Sequence, residues 1–169
     1  MSARRFISRS ARRSPRADRM GTDRADVLLV EDDAADAELI LESLGGDALG
    51  ARVRVTADGN DALDYVFCRG SYAGRVHEPA PRLIILDIKA TRIGGLDVLR
   101  QLKRDPRTAA IPVVLLTSSG LLRDVVAGYE LGANSYVQKP VDFLRFRETV
   151  RLLGIYWLTV NQPPHRTRD

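Results

Sequence analysis

Leu83-Ile84-Ile85-Leu86 is an unbroken apolar run that stops at a single carboxylate, Asp87. A short run without polar alternation is the pattern of a strand buried on both faces, as in a parallel sheet covered by helices on each side. Such sheets carry their chemistry just outside the carboxyl ends of their strands, so Asp87 stands where a reactive group belongs. Two more runs have the same form: Val27 to Val30, followed by Glu31, Asp32 and Asp33, and Pro112 to Leu116, followed by Thr117.

The intervening segments read as helices and turns. Asp33 suits an N-cap, with Asp36 in the capping-box position. Leu39, Ile40, Leu41 and Leu44 then form an apolar stripe, and Gly45-Gly46 ends that helix. Arg52 to Ala57 alternates apolar and polar, as an edge strand does. Asp58-Gly59 opens a second helix with Leu63, Val66 and Phe67 inward. Residues 69–81 exceed the usual connection of about 2–6 residues and are expected to be a surface loop, passive or partner-facing. Gly94-Gly95 leads into a helix with Val98, Leu99 and Leu102 inward, stopped by Asp105-Pro106. A further helix with Leu122, Val125, Val126 and Tyr129 runs to Gly132. Ser135-Tyr136-Val137 is a short strand, Lys139-Pro140 a sharp turn, and the last helix runs from Asp142 to Val160. Five strands alternating with five helices predict an α/β, flavodoxin-like (βα)5 doubly wound parallel sheet of order 2-1-3-4-5.

The chain of 169 residues has the length of one domain, with 44% apolar and 28% charged residues. The charge is uneven. Residues 1–24 carry a net +6 against +4 for the whole chain, which leaves −2 for the remainder. Residues 1–24 are therefore read as a disordered basic extension, 25–160 as the domain and 161–169 as a polar tail. Nucleic-acid binding is not expected of the domain. The single cysteine, Cys68, permits no internal disulfide. No secretory h-region or membrane span is evident, so a cytoplasmic protein that binds no membrane is expected. His77 and His165 lack partners at metal-ligand spacing.

At the strand ends the order 2-1-3-4-5 gathers Glu31 and Asp32 from strand one, Asp87 from strand three, Thr117 from strand four and Lys139 from strand five. Three close carboxylates repel one another unless a cation sits among them. Oxygen-only ligands suit Mg2+. A carboxylate beside that ion is a competent nucleophile toward a phosphoryl group. The transferred group then needs an ammonium such as Lys139 and a hydroxyl donor such as Thr117.

On VLLVEDD, LIILDI followed by GGLDVLRQLK, IPVVLLTSS and GANSYVQKPVD, residues 26–160 resemble the receiver domain of bacterial response regulators. CRGSYAG, TSSGLLRDVV, YELGANSYVQKPVDF and GIYWLTVNQPP are most similar to the stand-alone regulators associated with phytochromes. The resemblance implies that Asp87 is the phosphoacceptor of a two-component phosphorelay, supplied by a sensor histidine kinase that is a bacteriophytochrome. It implies Mg2+ held by Asp32, Asp87 and the main-chain carbonyl of Lys89, with Glu31 acting through water. Thr117 and Lys139 are implied to bind the phosphoryl group, Tyr136 to act as the switch aromatic, and Pro140 to follow a cis bond. Ala90-Thr91 departs from the family's usual Leu-Pro or Met-Pro, which makes the loop after Asp87 less rigid and alters the kinase-facing surface. Lys89 is expected either to slow hydrolysis by covering the phosphoryl group or to be merely solvated.

The last helix is apolar nearly all round, so a second burial surface is expected. A homodimer or partner surface through Phe146, Ile155, Trp157 and Leu158 follows, against the alternative of a longer core. No output domain fits after residue 160, so the signal is expected to leave by docking on, or phosphotransfer to, a downstream protein. No turnover of a separate substrate is expected. The rivals are a non-phosphorylated adaptor, an aspartyl-phosphate phosphatase and a nucleotide-binding module. The phosphatase needs a second Asp where Lys89 stands, and no phosphate-binding glycine loop follows the first strand.

Overall fold

The computed structural model describes residues 24–45, 49–75, 80–90 and 93–163. The basic extension up to residue 23, His77, Thr91, His165 and most of the polar tail lie outside the described residues. Five strands, β1 (Val27–Val30), β2 (Val53–Thr56), β3 (Leu83–Leu86), β4 (Val113–Thr117) and β5 (Ser135–Gln138), form one sheet of order β2-β1-β3-β4-β5. All neighbours are parallel. The uninterrupted runs occupy the three central places, where both faces are covered, and the alternating β2 lies at an edge. This is the expected flavodoxin-like architecture.

The two faces of each central strand feed separate cores. Leu28, Val30, Ile84, Leu86, Val113 and Leu115 pack with α2 (Gly59–Phe67) and α3 (Gly95–Arg104). Val27, Leu29, Leu83, Ile85, Val114 and Leu116 pack with α1 (Ala34–Gly45) and α5 (Phe143–Ile155). The chain continues past α5 in one π-helical stretch, Tyr156–Val160, so the long last helix ends where expected. No helix among the described residues is long and apolar enough to cross a membrane.

Two expectations are corrected, for the segment after α2 and for the last helix. The stretch after α2 folds into a 3-10 turn, Gly70–Arg75, that buries Tyr72 and Arg75. The Arg75 guanidinium lies 3.4 Å from the centre of the Tyr65 ring and donates to the Tyr65 carbonyl at 2.7 Å. The Tyr65 and Tyr72 rings meet edge to face at 5.2 Å. A buried guanidinium needs such acceptors and an aromatic face, so this part of the segment is docked and not a passive loop.

The apolar stripe of α4 (Leu122–Glu130) faces outward: Leu122, Val126 and Tyr129 are exposed and only Gly128 is buried. A Cβ on Gly128 would sit 2.6 Å from Leu115 Cδ1, so α4 meets the sheet by close backbone approach at the glycine. Phe146 of α5 and Trp157 and Leu158 of its π-helical continuation, expected on a dimer or partner surface, are buried with α1 over the sheet, and Ile155 is half-buried. Leu152, Tyr156 and Val160, one turn apart, are exposed, as are Phe143 and Leu144 at the start of α5. The helix covers its own core first, because that surface is available without association.

Candidate functional site

Backbone pairing sets the site level with the end of the sheet. Val30 of β1 is in register with Leu86 of β3 and Thr56 of β2. One residue further, Glu31 N–H donates to the Thr56 carbonyl at 2.9 Å and Asp87 N–H to the Val30 carbonyl at 3.0 Å. Lys139 N–H likewise donates to the Thr117 carbonyl at 2.8 Å. Each functional residue is thus fixed by a ladder bond just beyond its strand.

Lys139 lies at the centre. Its ammonium donates to Glu31 Oε2 at 2.7 Å, Asp36 Oδ2 at 2.7 Å and Asp87 Oδ2 at 2.9 Å. The remaining oxygens of the two buried acids are also bonded. Glu31 Oε1 accepts Asp33 N–H at 3.0 Å, and Asp87 Oδ1 accepts Lys89 N–H at 2.9 Å. Asp33 caps α1, accepting Ala35 and Asp36 N–H at 2.9 Å each. Asp36 therefore does not complete a capping box; its carboxylate turns to Lys139.

Burial sets the electrostatics. Glu31 and Asp87 are only 3% and 6% exposed. Desolvation pushes the Glu31 carboxyl above the usual glutamate value, against the hydrogen bond from Lys139. Desolvation pulls the Lys139 ammonium down, but the hydrogen bonds to Asp36, Glu31 and Asp87 outweigh it and raise its pKa above the lysine norm. Asp32 is exposed beside them.

Thr117 ends β4 fully buried, its Oγ1 accepting Ser119 N–H at 3.3 Å. Ser119 is tied in turn to α4 through a hydrogen bond from its hydroxyl to the Asp124 carboxylate. Tyr136 O–H donates to the Ser119 carbonyl at 2.9 Å, with its ring partly buried beside Gly128. Lys89 is exposed, with Nζ 3.4 Å from Ser118 Oγ. There are no cis peptide bonds among the described residues, so Lys139–Pro140 is trans, contrary to expectation. The trans form is favoured by about 0.5–1 kcal/mol, and the ammonium reaches all three carboxylates from it.

The structure thus brings Glu31, Asp87 and Lys139 into direct contact, with Thr117 and Tyr136 on the adjoining strands. The residue that sequence reasoning missed is Asp36. Its signal was a fourth acid after Glu31, Asp32 and Asp33, on the first turn of the helix that follows β1. No three His, Cys, Asp or Glu side chains among the described residues converge in an arrangement ready to hold a metal, because Lys139 takes that central place. The donor set still fits a hard divalent cation. Three carboxylates, Glu31, Asp36 and Asp87, meet at one ammonium, and the adjoining Asp32 is exposed, which leaves room for water ligands.

Residues 27–151 match the response regulator receiver domain family. The response regulator Rcp1 of Synechocystis is 35% identical over 138 residues, covering 81% of this chain and 92% of that protein. The Mn2+-bound form of Rcp1 superposes with a TM-score of 0.77 at 32% identity, over 84% of this chain and 100% of that one. The phosphorylated cyanobacterial phytochrome response regulator RcpA gives a TM-score of 0.78 at 32% identity, over 83% and 99% of the two chains. The bacteriophytochrome response regulator RtBRR gives 0.65 at 45% identity, over 83% and 84%. The five-stranded order, the acids at the ends of β1 and β3 and these likenesses together assign the chain: it belongs to the response regulator receiver domain family of two-component signalling.

Proposed function

We propose that this receiver accepts a phosphoryl group on Asp87 from a phosphohistidine of a sensor histidine kinase. The observation that carries this reading is the buried Asp87 carboxylate at the end of β3, 2.9 Å from the Lys139 ammonium. An Asp87 oxygen attacks phosphorus, the phosphorus–nitrogen bond breaks, and the histidine nitrogen leaves with the electron pair. Lys139 and the Thr117 hydroxyl bind the phosphoryl oxygens. Asp32, Asp87 and the Lys89 carbonyl, with Glu31 through water, would hold Mg2+, which would supply positive charge beside the transferred group. The Mn2+-bound Rcp1 structure supports a divalent ion in a related protein.

Thr117 and Tyr136 couple the site to α4, and phosphorylation shifts a two-state population toward a partner-binding surface. Exposed Leu121, Leu122, Val126 and Tyr129 support an output through α4 by protein contact in the cytoplasm, to a downstream protein and not to nucleic acid. Homodimerisation uses the outer side of the last helix, at Leu152, Tyr156 and Val160. RcpA and RtBRR support a bacteriophytochrome as the kinase. Lys89 at the second position after Asp87 argues against a phosphatase that turns over a separate substrate.

Incubation with acetyl phosphate, with and without Mg2+, tests this on a phosphate-affinity gel. Wild type is modified only with Mg2+ and Asp87→Asn is not. Absence of Mg2+-dependent modification in wild type sinks the reading and favours a non-phosphorylated adaptor. Modification that survives in Asp87→Asn moves the acceptor elsewhere.

A further inference from the structure

An ammonium group has three N–H donors. In Lys139 all three are committed, to Glu31, Asp36 and Asp87. A phosphoryl group arriving on Asp87 therefore finds no spare donor on the lysine that is to bind it, and one existing bond must be exchanged.

The three acceptors differ in what release costs them. The Glu31 and Asp87 side chains are 1% and 7% exposed, whereas that of Asp36, on the first turn of α1, is 32% exposed. A released Glu31 is a buried carboxylate without its counter-ion, which is expensive. Asp87 carries the phosphoryl group and stays in place. A released Asp36 is taken up by water.

We propose that Asp36 is a positioning residue of the phosphoryl site: it holds one Lys139 donor in the resting protein and yields it to the phosphoryl group. The proposal rests on the reading of Asp87 as phosphoacceptor. Asp36 acts through Lys139, touching neither the phosphoryl group nor its donor. It keeps the ammonium aimed between β1 and β3 and opposes phosphoryl binding by competition, so it sets how readily the receiver is switched on.

The test is the affinity for beryllofluoride in saturating Mg2+, measured by calorimetry. The proteins are wild type, Asp36→Asn, Asp36→Glu, Lys139→Met and the Asp36→Asn/Lys139→Met pair. Asp36→Asn should bind about tenfold tighter than wild type, the size of one charge-assisted bond at a partly exposed site. Asp36→Glu should restore wild-type affinity, and on the Lys139→Met background Asp36→Asn should change affinity less than about twofold. A second readout uses neither metal nor analogue. In protein labelled with 15N at lysine, Asp36→Asn should speed exchange of the Lys139 ammonium protons with water and shift its Nζ resonance.

Equal or weaker beryllofluoride binding by a folded Asp36→Asn overturns the proposal. So does a tenfold gain that persists without Lys139, because the effect is then through-space repulsion of the anion. An unmoved Lys139 resonance also overturns it. Failure of wild type to bind, or binding that survives Asp87→Asn, removes the phosphoacceptor reading and the proposal with it.

Discussion

Lys139→Met keeps an unbranched apolar stem and deletes the charge that compensates Glu31, Asp36 and Asp87. Glu31 and Asp87 then remain buried without their cation. Breaking a buried ion pair from one side costs about 3–5 kcal/mol. The carboxylates keep the Asp33 and Lys89 amide bonds, and Asp36 is partly solvated, so the lower end, about 3 kcal/mol, is expected at neutral pH without Mg2+. For a domain of this size that corresponds to a loss of roughly 10 °C in Tm. The sign of the pH dependence follows from Glu31. Its folded pKa lies above its unfolded value, so the native state binds the proton more tightly, and stability falls as pH rises from the unfolded toward the folded pKa. Removing the ammonium raises the folded pKa further, so the deficit of the variant should shrink on acidification toward pH 5. Urea denaturation and thermal melts at neutral and mildly acidic pH, with and without Mg2+, measure this. A Lys139→Met protein within about 1 °C of wild type at pH 7 without Mg2+ would refute the view that this ammonium compensates desolvated carboxylates.

Three further perturbations follow. A Cβ at Gly95 would lie 2.6 Å from Ile88 Cα and 2.8 Å from the Asp87 carbonyl oxygen, so Gly95→Ala should cost about 2 kcal/mol by urea denaturation and weaken beryllofluoride binding; native stability and affinity would contradict that. Arg75→Lys loses the planar guanidinium over Tyr65 and its bond to the Tyr65 carbonyl. It should cost about 1–2 kcal/mol in urea denaturation and speed amide exchange in the Gly70–Arg75 turn, and unchanged exchange would show that the turn is held by other contacts. The hydrogen bond from Arg52 holds the Asp26 carboxyl below its ordinary value, so this link between β1 and β2 stabilises the fold above the ordinary aspartate pKa and is lost as pH falls through the folded one. With Arg52 half exposed, Asp26→Asn should cost under about 1 kcal/mol at pH 7 and nothing near pH 2, where a persisting difference would assign it to another cause.

The strands and most of the site were legible because their causes are local. An apolar run of four or five residues is read the same way wherever the chain goes next. The residue after it must emerge at the carboxyl edge, as Glu31 and Asp87 do. Asp36 was misread because a capping box and a turn toward another strand's lysine look identical over four residues. Position within α1 favours both, and only the placement of Lys139 decides.

The helices divide in the same way. Length, caps and apolar content are written along the chain, and α5 with its continuation ends at Val160 as its composition implies. Which stripe turns inward is a competition among surfaces that the chain order does not contain. In α4 the sheet takes Gly128 and leaves Leu122, Val126 and Tyr129 to solvent, while in α5 and its continuation the domain's own core takes Phe146, Trp157 and Leu158. The sequence by itself determined a parallel sheet with acids, a hydroxyl and an ammonium at one edge, because strand burial and strand ends depend on neighbours along the chain. Only the tertiary structure decided how the three donors of Lys139 are shared and which apolar faces remain open, because both depend on distances between segments far apart in sequence.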